Sequence, residues 1–323
     1  MVKRSICIGT VTRGRPLMLE NLLSSYATMR IPGGVHLRFV IVENNDTPTL
    51  RETMESFRER LPQSSIQYEL EPRLGIAFAR NRVLDCALEA GDHLLTFADD
   101  DEVVDPAWLI QLLAERDASN LDIVGSPVRI APHAPDASLW QKLIWSGIHG
   151  LNKKGEAKAT RLRNRKRADQ IQIGTGSWMG NLSFFRRTML RFDNALGLSG
   201  GEDGVLWLEA KSLGAMTGWT PHAVAYETIP SERLGLVYQY RRSRDEAIVK
   251  FGTKIKKREK GVVPRLAGSL AGRVSYLLVC VVTLPFKPGM MLVRGARCVG
   301  GITGIIQACM GHPSHHYRRI AGS

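Results

Sequence analysis

The sequence predicts an α/β fold built on a mostly parallel central sheet flanked by helices. Short apolar runs alternate, over the first hundred residues, with longer segments whose apolar residues recur at helical spacing. A polar and partly acidic turn also follows three of the apolar runs. Alternating strands and helices of this kind are typical of parallel sheets that helices cover on both faces.

Eight predicted elements alternate without exception in this part of the chain. The strands are short runs of apolar residues at 5–10, 36–42, 66–70 and 93–97. The helices are predicted at 16–29, 49–60, 76–90 and 106–116. Gly91 follows the third helix, and glycine is the residue type that most often ends a helix. Pro106 suits the first turn of the fourth helix.

Polar turns follow three predicted strands, at residues 10–13, 43–46 and 99–102. The carboxyl ends of parallel strands lie at one edge of a sheet, where ligands bind in such folds. The third turn reads Asp-Asp-Asp-Glu, and burying unpaired carboxylates is costly. A hard divalent cation held by their oxygens would balance this charge, and we favour this interpretation. The alternative is a solvated turn that caps the next helix.

Composition restricts the class of protein. The 323 residues suffice for one large domain or two smaller ones, and the formal charge of +13 predicts an anionic partner. Five cysteines without a CxxC spacing argue against a disulfide framework or a zinc knuckle and fit a reducing cytosol. The N-terminus does not resemble a secretory signal, and we expect no spanning helix because no apolar run reaches the ~18–20 residues required.

Two basic segments suggest what the anionic partner is. Residues 153–167 hold eight basic residues and one acidic residue, and we predict a loop there; residues 254–260 are a second basic run. Neither run contains the aromatic residues that nucleic-acid binding would need. Residues 262–311 alternate apolar segments with Arg and Lys, which favours an amphipathic tail on an anionic membrane. The alternative is a glycine-rich helical hairpin packed on the rest of the protein.

Five motifs in order carry a family resemblance: CIGTVTRGRPLMLENLLSS, VIVENND, RLGIAFARNRVLD, LLTFADDDE and LSGGEDGVLWLEAKSLG. Together they resemble the inverting glycosyltransferases of family 2, in particular bacterial enzymes of exopolysaccharide synthesis. The resemblance covers roughly residues 4–250. It implies a GT-A fold with a Rossmann-like sheet, in which 1–105 is the nucleotide-sugar half, 106–250 is the acceptor half and 251–323 is a membrane-associating tail.

The resemblance also implies roles for single residues. Those expected at the donor are Thr10, Arg13, Glu43, Arg80, Asn81, Asp99 and Asp100. Asp99 and Asp101 form a DxD motif that would bind Mg²⁺ or Mn²⁺, with Asp101 the more direct ligand. Asp203, in the GGED segment, matches the general base that takes the proton of an attacking hydroxyl. The alternative for GGED is a glycine turn with an acidic helix cap.

Weaker expectations concern the acceptor side, where the resemblance implies roles for Glu202, Trp178, Asn181, Arg242 and His222. Several of these assignments have structural alternatives: Trp178 could lie in the core, His222 could serve packing, and Arg80 of the donor side could pair with Asp85. Residues 239–243 are similar to the QxxRW motif of processive synthases, but Ser243 replaces the tryptophan. Transfer of one sugar per acceptor is therefore expected.

The sequence thus predicts a metal-dependent inverting glycosyltransferase, peripheral on the cytoplasmic face of the cell membrane. It would transfer a sugar from a nucleotide-sugar, with a UDP-sugar expected, to a glycan or lipid-linked acceptor in cell-surface polysaccharide synthesis. One alternative is a non-catalytic basic protein that binds polyanions or membranes. Another is a nucleotidyltransferase, for which a glycine-rich, lysine-containing loop would be expected after the first strand. The segment TVTRGRP has a single glycine there.

Overall fold

The computed structural model describes residues 4–197, 200–256 and 261–312. All eight predicted elements are present, with ends that differ by no more than two residues. The strands are β1 (Arg4–Thr12), β2 (Val35–Glu43), β3 (Ser65–Leu70) and β4 (Leu94–Phe97). The helices are α1 (Pro16–Thr28), α2 (Arg51–Arg60), α3 (Ile76–Glu89) and α4 (Trp108–Ala118). The predicted alternation is therefore confirmed.

The second part of the chain completes the same sheet. Its strands are β5 (Glu102–Val104), β6 (Ile123–Gly125), β7 (Val128–Ile130), β8 (Trp178–Asn181), β9 (Thr217–Trp219) and β10 (Ala225–Glu227). A seven-stranded sheet has the order β3-β2-β1-β4-β8-β6-β9, and a small sheet has the order β5-β10-β7. In the large sheet β8 alone runs antiparallel to its neighbours, so the sheet is mostly parallel as predicted.

Aromatic clusters fill both faces of the large sheet. On one face Tyr26 of α1 lies 5.4 Å from Phe39 of β2, measured between ring centroids. On the other face Trp178 stacks on Phe97 at 5.9 Å, with the two rings almost parallel. Trp178 is buried, so the alternative that placed it in the core is correct. A side chain at Gly9 would overlap Val83, which is why α3 can lie so close to β1.

The basic segment 153–167 is mostly helical, so the predicted loop is wrong. Residues 153–164 belong to α5 (Leu139–Asn164), which begins with a capping box between Ser138 and Gln141. The charge of the segment suggested a loop, but its lysine, alanine, glutamate and arginine residues are good helix formers. The buried Ile144 and Ile148 anchor the helix earlier in its length.

The remaining helices are α6 (Leu182–Thr188), α7 (Glu202–Ser212), α8 (Leu236–Lys256), α9 (Val262–Thr283) and α10 (Pro288–Cys309). The predicted boundary at 250/251 falls inside α8. Helix α10 packs along α8 and crosses α5. Its glycines allow this: a Cβ at Gly300 or Gly304 would overlap the carbonyl oxygens of Tyr240 or Arg244.

Helix α9 differs from α10 in its exposure. Its residues Leu278, Val281 and Val282 are each about 70% exposed, as is Val263 near its start. By length and composition alone, α9 and α10 could each cross a membrane, with mean hydropathies of 1.6 and 1.2. The expectation of no spanning helix was based on uninterrupted apolar runs. Scattered Arg and Gly residues interrupt these runs, but the mean hydropathy of each helix stays high enough for a membrane span. Helix α10 packs on the rest of the protein, as the helical-hairpin alternative expected. Helix α9 instead leaves an apolar surface exposed.

Candidate active site

The three polar turns meet at one edge of the large sheet, as predicted. Thr12, at the end of β1, is in register with Glu43, at the end of β2, and Gly9 is in register with Phe97 of β4. The hydroxyl of Thr12 then donates to Oδ2 of Asp100 at 2.8 Å. The carboxyl ends of β1, β2 and β4 therefore surround the acidic segment 99–102.

The carboxylates of this segment are largely buried. Oε2 of Glu102 accepts a hydrogen bond from the backbone N–H of Asp99 at 3.0 Å. Burial raises the pKa of Glu102 well above its usual range, and the nearby Asp99 and Asp101 add to the rise. Burial also raises the pKa of Asp100 to about 6, against the opposing effect of Arg15. The cluster thus carries unfavourable charge that neighbouring cations offset only in part.

Two arginines that the sequence analysis missed share one oxygen of Asp101. Arg15 donates from Nη1 to Oδ2 of Asp101 at 3.3 Å and to Oδ1 of Asp100 at 2.9 Å. Arg233, in the short helix Ser231–Arg233, donates to the same Oδ2 of Asp101 at 3.2 Å. Arg15 was detectable in the TRGRP segment beside Arg13. Arg233 lies 132 residues after Asp101, and nothing in its surrounding sequence marks it.

Arg80 joins the acidic segment to the second part of the chain. Its Nη2 donates to Oδ1 of Asp99 at 2.8 Å, and its Nη1 forms an ion pair with Glu202 at the start of α7. Burial works against the charge of Arg80, but the surrounding carboxylates outweigh burial and raise its pKa. The alternative pairing with Asp85 is wrong, since that carboxylate pairs with Arg191.

Asp203 is half-buried in the first turn of α7, next to Glu202. Gly201 precedes the helix with φ of 86°, a left-handed conformation that favours glycine and turns the chain into α7. Oδ1 of Asp203 accepts from the N–H of Gly204 at 2.6 Å. Asp203 also acts electrostatically on Arg80, which places it on the same side of the sheet as the acidic segment. Residues 198–199, which precede the GGED motif, lie outside the described residues.

Asp99 and Asp101 fit a divalent cation. Asp99 keeps 35% of its side chain exposed, and its Oδ2 is beside Gly176, where a Cβ would overlap Glu102 and lie 3.4 Å from Asp99. The glycine therefore leaves the carboxylates open on this face. Among the described residues, no group of three or more His, Cys, Asp or Glu side chains could hold a metal. Mg²⁺ commonly takes only one or two carboxylates and completes its shell with substrate phosphates and water, so this pair suffices.

Three donor-side expectations correspond to residues with structural contacts. Thr10 is buried, with its hydroxyl 3.0 Å from that of Tyr26. Glu43 is buried too, and its oxygens accept hydrogen bonds from Thr49, Tyr68 and Asn45. The amide of Asn81 bonds the backbone of Phe192 in both directions. The structure places the three residues near the edge but turns their polar groups into the protein.

The acceptor-side residues are spread more widely than expected. Asn181 pairs with Leu94, at the opposite end of β4 from the acidic segment, where it caps α6; the structure does not bring it to the site. His222 is exposed in the loop after β9. Arg242 pairs with Glu246 at 3.0 Å and also acts electrostatically on Glu227, at the end of β10. Arg13 is half-buried in the turn after β1.

Glu227 is a further carboxylate that the sequence analysis did not mark. It ends β10, in register with Glu102, and its oxygen lies 3.9 Å from Nη1 of Arg233. Burial and the charge of Asp101 raise the pKa of Glu227 to about 7. The small sheet thus contributes a side chain to the site, which a reading of the DxD and GGED segments alone could not show.

The family follows from a comparison with known proteins. The sequence model described as "Glycosyl transferase family 2" matches residues 5–191, more than half of the chain. The chain belongs to glycosyl transferase family 2. It is therefore a glycosyltransferase, as the resemblance implied. The succinoglycan biosynthesis protein ExoM of Rhizobium meliloti (strain 1021) is 28% identical over 313 residues, which cover 93% of this chain and 93% of that protein.

Two solved structures share the fold. S. aureus TarS 1-349 in complex with UDP-GlcNAc has a TM-score of 0.51 and 14% identity, covering 99% of this chain and 95% of that chain. Mannosyltransferase PcManGT from Pyrobaculum calidifontis in complex with GDP-Man and Mn²⁺ has a TM-score of 0.54 and 14% identity, covering 96% and 76%. At such identities the likeness concerns the fold, and it confirms the expected GT-A class.

Proposed function

We propose that this glycosyltransferase uses a divalent cation, Mg²⁺ or Mn²⁺, and inverts the configuration of the transferred sugar. Its donor is a nucleotide-sugar, with a UDP-sugar expected, and its acceptor is a glycan or lipid-linked oligosaccharide of cell-surface polysaccharide synthesis. The relative that carries the name of succinoglycan biosynthesis supports the process. Structural neighbours in complex with UDP-GlcNAc and with GDP-Man and Mn²⁺ support the donor class and the cation.

One observation carries the proposal: Arg80 holds Asp99, at the end of β4, and Glu202, next to Asp203, through one guanidinium group. The cation-binding carboxylates and the expected base therefore belong to one connected site, although they come from different parts of the chain. A divalent cation bound by Asp99 and Asp101 would neutralise charge on the departing diphosphate.

The residues of the chain divide the remaining work. Asp203 is half-exposed at the start of α7 and would accept the proton of the acceptor hydroxyl as it attacks, a contribution of about 10²–10⁴-fold. Arg15 and Arg233 lie within hydrogen-bonding distance of Asp101, so their guanidinium groups are placed to contact diphosphate oxygens next to that carboxylate. Arg80 binds both Asp99 and Glu202 and so fixes the distance between the expected cation site and the expected base.

Calorimetric titration of the full chain with UDP, GDP, CDP and dTDP, with and without Mn²⁺, tests this assignment. Asp101→Ala should abolish the Mn²⁺-dependent part of binding. Asp203→Asn should keep nucleotide binding and lose sugar transfer. Asp117→Ala is the matched control, because this aspartate pairs with Arg4 at the opposite end of β1.

Three results would contradict parts of the proposal. Undiminished binding and transfer in Asp101→Ala would show that no cation acts through Asp101. Full transfer in Asp203→Asn would show that Asp203 is not the base. Wild-type protein that binds none of the four nucleotides would remove these nucleoside diphosphates as the carrier of the donor sugar.

We further propose that the enzyme lies on the cytoplasmic face of the membrane, with α9 in contact with lipid. The exposed Leu278 and Val282 of α9 and the net positive charge of the chain support this. Leu278→Glu/Val282→Glu should reduce co-sedimentation with vesicles that contain phosphatidylglycerol. Leu17→Glu/Leu208→Glu removes two equally exposed apolar residues elsewhere and should not. Equal retention of vesicle binding in both variants would contradict the assignment of α9.

A further inference from the structure

A basic groove lies between α5 and the small sheet, apart from the acidic cluster. It has a volume of about 720 Å³. Its polar lining includes Arg129, His149, Lys153, Arg161, Arg165 and Tyr226. The groove therefore collects most of its cations from the basic segment that the sequence analysis marked and that the proposed reaction leaves without a role. We call it the α5 groove.

The α5 groove has more positive charge than its own carboxylates balance. Glu156 lines it, but Arg129 already binds both oxygens of that carboxylate through Nε at 3.1 Å. Lys153, Arg161 and Arg165 form no ion pair with any residue that the structure describes. By contrast, Arg163, which points away from the groove, pairs with Glu115. Three uncompensated cations thus face one concave surface.

The spacing of these cations suits phosphate oxygens. Arg161 is in the last turn of α5, and Arg165 follows the helix as its C-cap, with its backbone N–H still bonded to the carbonyl oxygen of Arg161. Their side chains therefore start about one turn, or ~6 Å, from each other. Guanidinium groups bind phosphate through paired N–H donors, which makes two arginines at this separation a good match for a phosphate or diphosphate. A neutral glycan would leave all three charges unpaired.

The α5 groove adjoins the active site through strand β10. Tyr226 of β10 lines the groove, in register with Arg129 of β7. The next residue, Glu227, is in register with Glu102 and feels the charge of Asp101. Adjacent residues of one strand project to opposite sides. The groove and the acidic cluster therefore lie on the two faces of the small sheet, in which β10 is the central strand. Each strand of this sheet has three residues, so a molecule that reacts at the acidic cluster can reach the groove past the end of the sheet.

We infer that the α5 groove binds a phosphate or diphosphate group carried by the acceptor. This inference rests on the proposed function, because it assigns the acceptor side of the same transfer reaction. The group holds the acceptor while its sugar end lies at Asp203. The acceptor is then a phosphate-linked glycan rather than a free oligosaccharide, and Arg161 and Arg165 are binding residues for its phosphate.

Calorimetry with inorganic pyrophosphate in EDTA tests the groove, because EDTA removes the cation that the donor site would use. Arg161→Ala/Arg165→Ala should weaken pyrophosphate binding about tenfold or more, as expected for charged hydrogen bonds. Lys154→Ala/Lys158→Ala is the matched control: it removes two cations four residues apart from the same helix, outside the groove. That control should bind as the wild type does.

A second arm separates a phosphate-linked acceptor from a lipid surface. Farnesyl diphosphate should follow pyrophosphate in losing affinity in Arg161→Ala/Arg165→Ala, while binding to phosphatidylglycerol vesicles should change equally in both double variants. Loss of vesicle binding specific to Arg161→Ala/Arg165→Ala, with pyrophosphate binding intact, would overturn the inference in favour of a membrane contact. Absence of pyrophosphate binding to the wild type, or equal weakening in the two variants, would also overturn it.

Donor binding keeps the two proposals distinguishable. Nucleoside diphosphate binding in Mn²⁺ should be unchanged in Arg161→Ala/Arg165→Ala if the groove serves the acceptor. A wild-type protein that binds pyrophosphate in EDTA through these arginines but binds no nucleotide in Mn²⁺ would contradict the proposed transfer reaction and leave the phosphate site in place.

Discussion

Arg297 of α10 donates from Nε to Oε1 of Gln239 at 2.9 Å, and this contact connects the last described helix to the active site. The amide nitrogen of Gln239 donates in turn to the carbonyl oxygen of Arg233 at 3.0 Å. The guanidinium group of Arg233 in turn donates to Oδ2 of Asp101. Gln239 is buried, with both ends of its amide bonded, so it fixes the segment that carries Arg233.

Gln239→Met should weaken nucleoside diphosphate binding in Mn²⁺ by about tenfold, near the effect of one lost hydrogen bond. Arg297→Met should act in the same direction, and the double variant should be no worse than the stronger single variant, because both act through one network. Calorimetry measures the binding, and hydrogen exchange of residues 231–235 reports the loosening without any ligand.

Arg294→Met provides the control for this network. Arg294 is also on α10, but it bonds the hydroxyl of Tyr276 on α9 and does not reach Gln239. The variant should leave nucleotide binding and the exchange of residues 231–235 unchanged. If it weakened binding as much as Arg297→Met does, the effect would come from helix packing and the connection through Gln239 would be refuted.

Arg80→Met should lower the free energy of unfolding by about 3–5 kcal/mol, because it leaves the buried carboxylate of Glu202 without its partner. Arg82→Met is the matched control on the same helix. Arg82 is 41% exposed and pairs with Glu69 at the surface, so the loss should stay below about 1 kcal/mol. Urea unfolding of the two variants measures both values, and similar losses would mean that Arg80 is not a buried structural charge.

Gly300→Ala should destabilise the protein by about 1–3 kcal/mol, because the added methyl group would overlap the carbonyl oxygen of Tyr240 and push α10 away from α8. Gly295→Ala, on the same helix, meets nothing within 4 Å and should be neutral or stabilising by up to about 1 kcal/mol, as helix propensity predicts. Thermal unfolding compares the two. Equal behaviour would indicate that α10 is not seated on α8 in solution.

Glu43→Gln should cost stability in a pH-dependent way. Burial opposes ionisation of Glu43, but hydrogen bonds from Thr49, Tyr68 and Asn45 to its carboxylate lower its pKa below the usual range. The folded state therefore favours the ionised form, and this stabilisation is present above the unfolded-state pKa near 4.5 and is lost as pH falls below it.

The difference in unfolding free energy between wild type and Glu43→Gln should be about 1–3 kcal/mol at pH 7 and should shrink at pH 3.5. Tyr68→Phe, which removes one of the donors, should show a smaller difference with the same pH trend. A difference that grows on acidification would show that the carboxylate is not stabilised by these hydrogen bonds.

Local patterns predicted the strands and helices of the first 118 residues well. Strand and helix periods depend on neighbours two to four residues apart, and the rule that parallel strands end at one edge then brought Thr12 and Asp100 together. Composition was a poorer guide for 153–167, where charge suggested a loop and helix propensity combined with packing of the preceding turns produced α5.

Long-range pairings were not predictable from one sequence. The contact of Arg15 with the acidic cluster follows a left-handed turn at Gly14, with φ of 62°, which strand and helix periods do not predict. Arg233 and Glu227 reach the site through the small sheet, whose three strands come from distant parts of the chain. Asn181 was misplaced because β8 runs antiparallel, which carries its end away from the edge where β4 ends.

The contrast between α9 and α10 has a practical meaning for anyone who shortens this enzyme. Ending the chain at residue 256 would delete the exposed apolar surface of α9, which promotes aggregation, and would improve solubility. It would also delete α10, whose glycines seat it on α8 and α5 and whose Arg297 holds Gln239 in place. Polar substitutions at Leu278, Val281 and Val282 of α9 would remove the same exposed apolar surface and keep α10 in place. They are the better route to a soluble, intact enzyme.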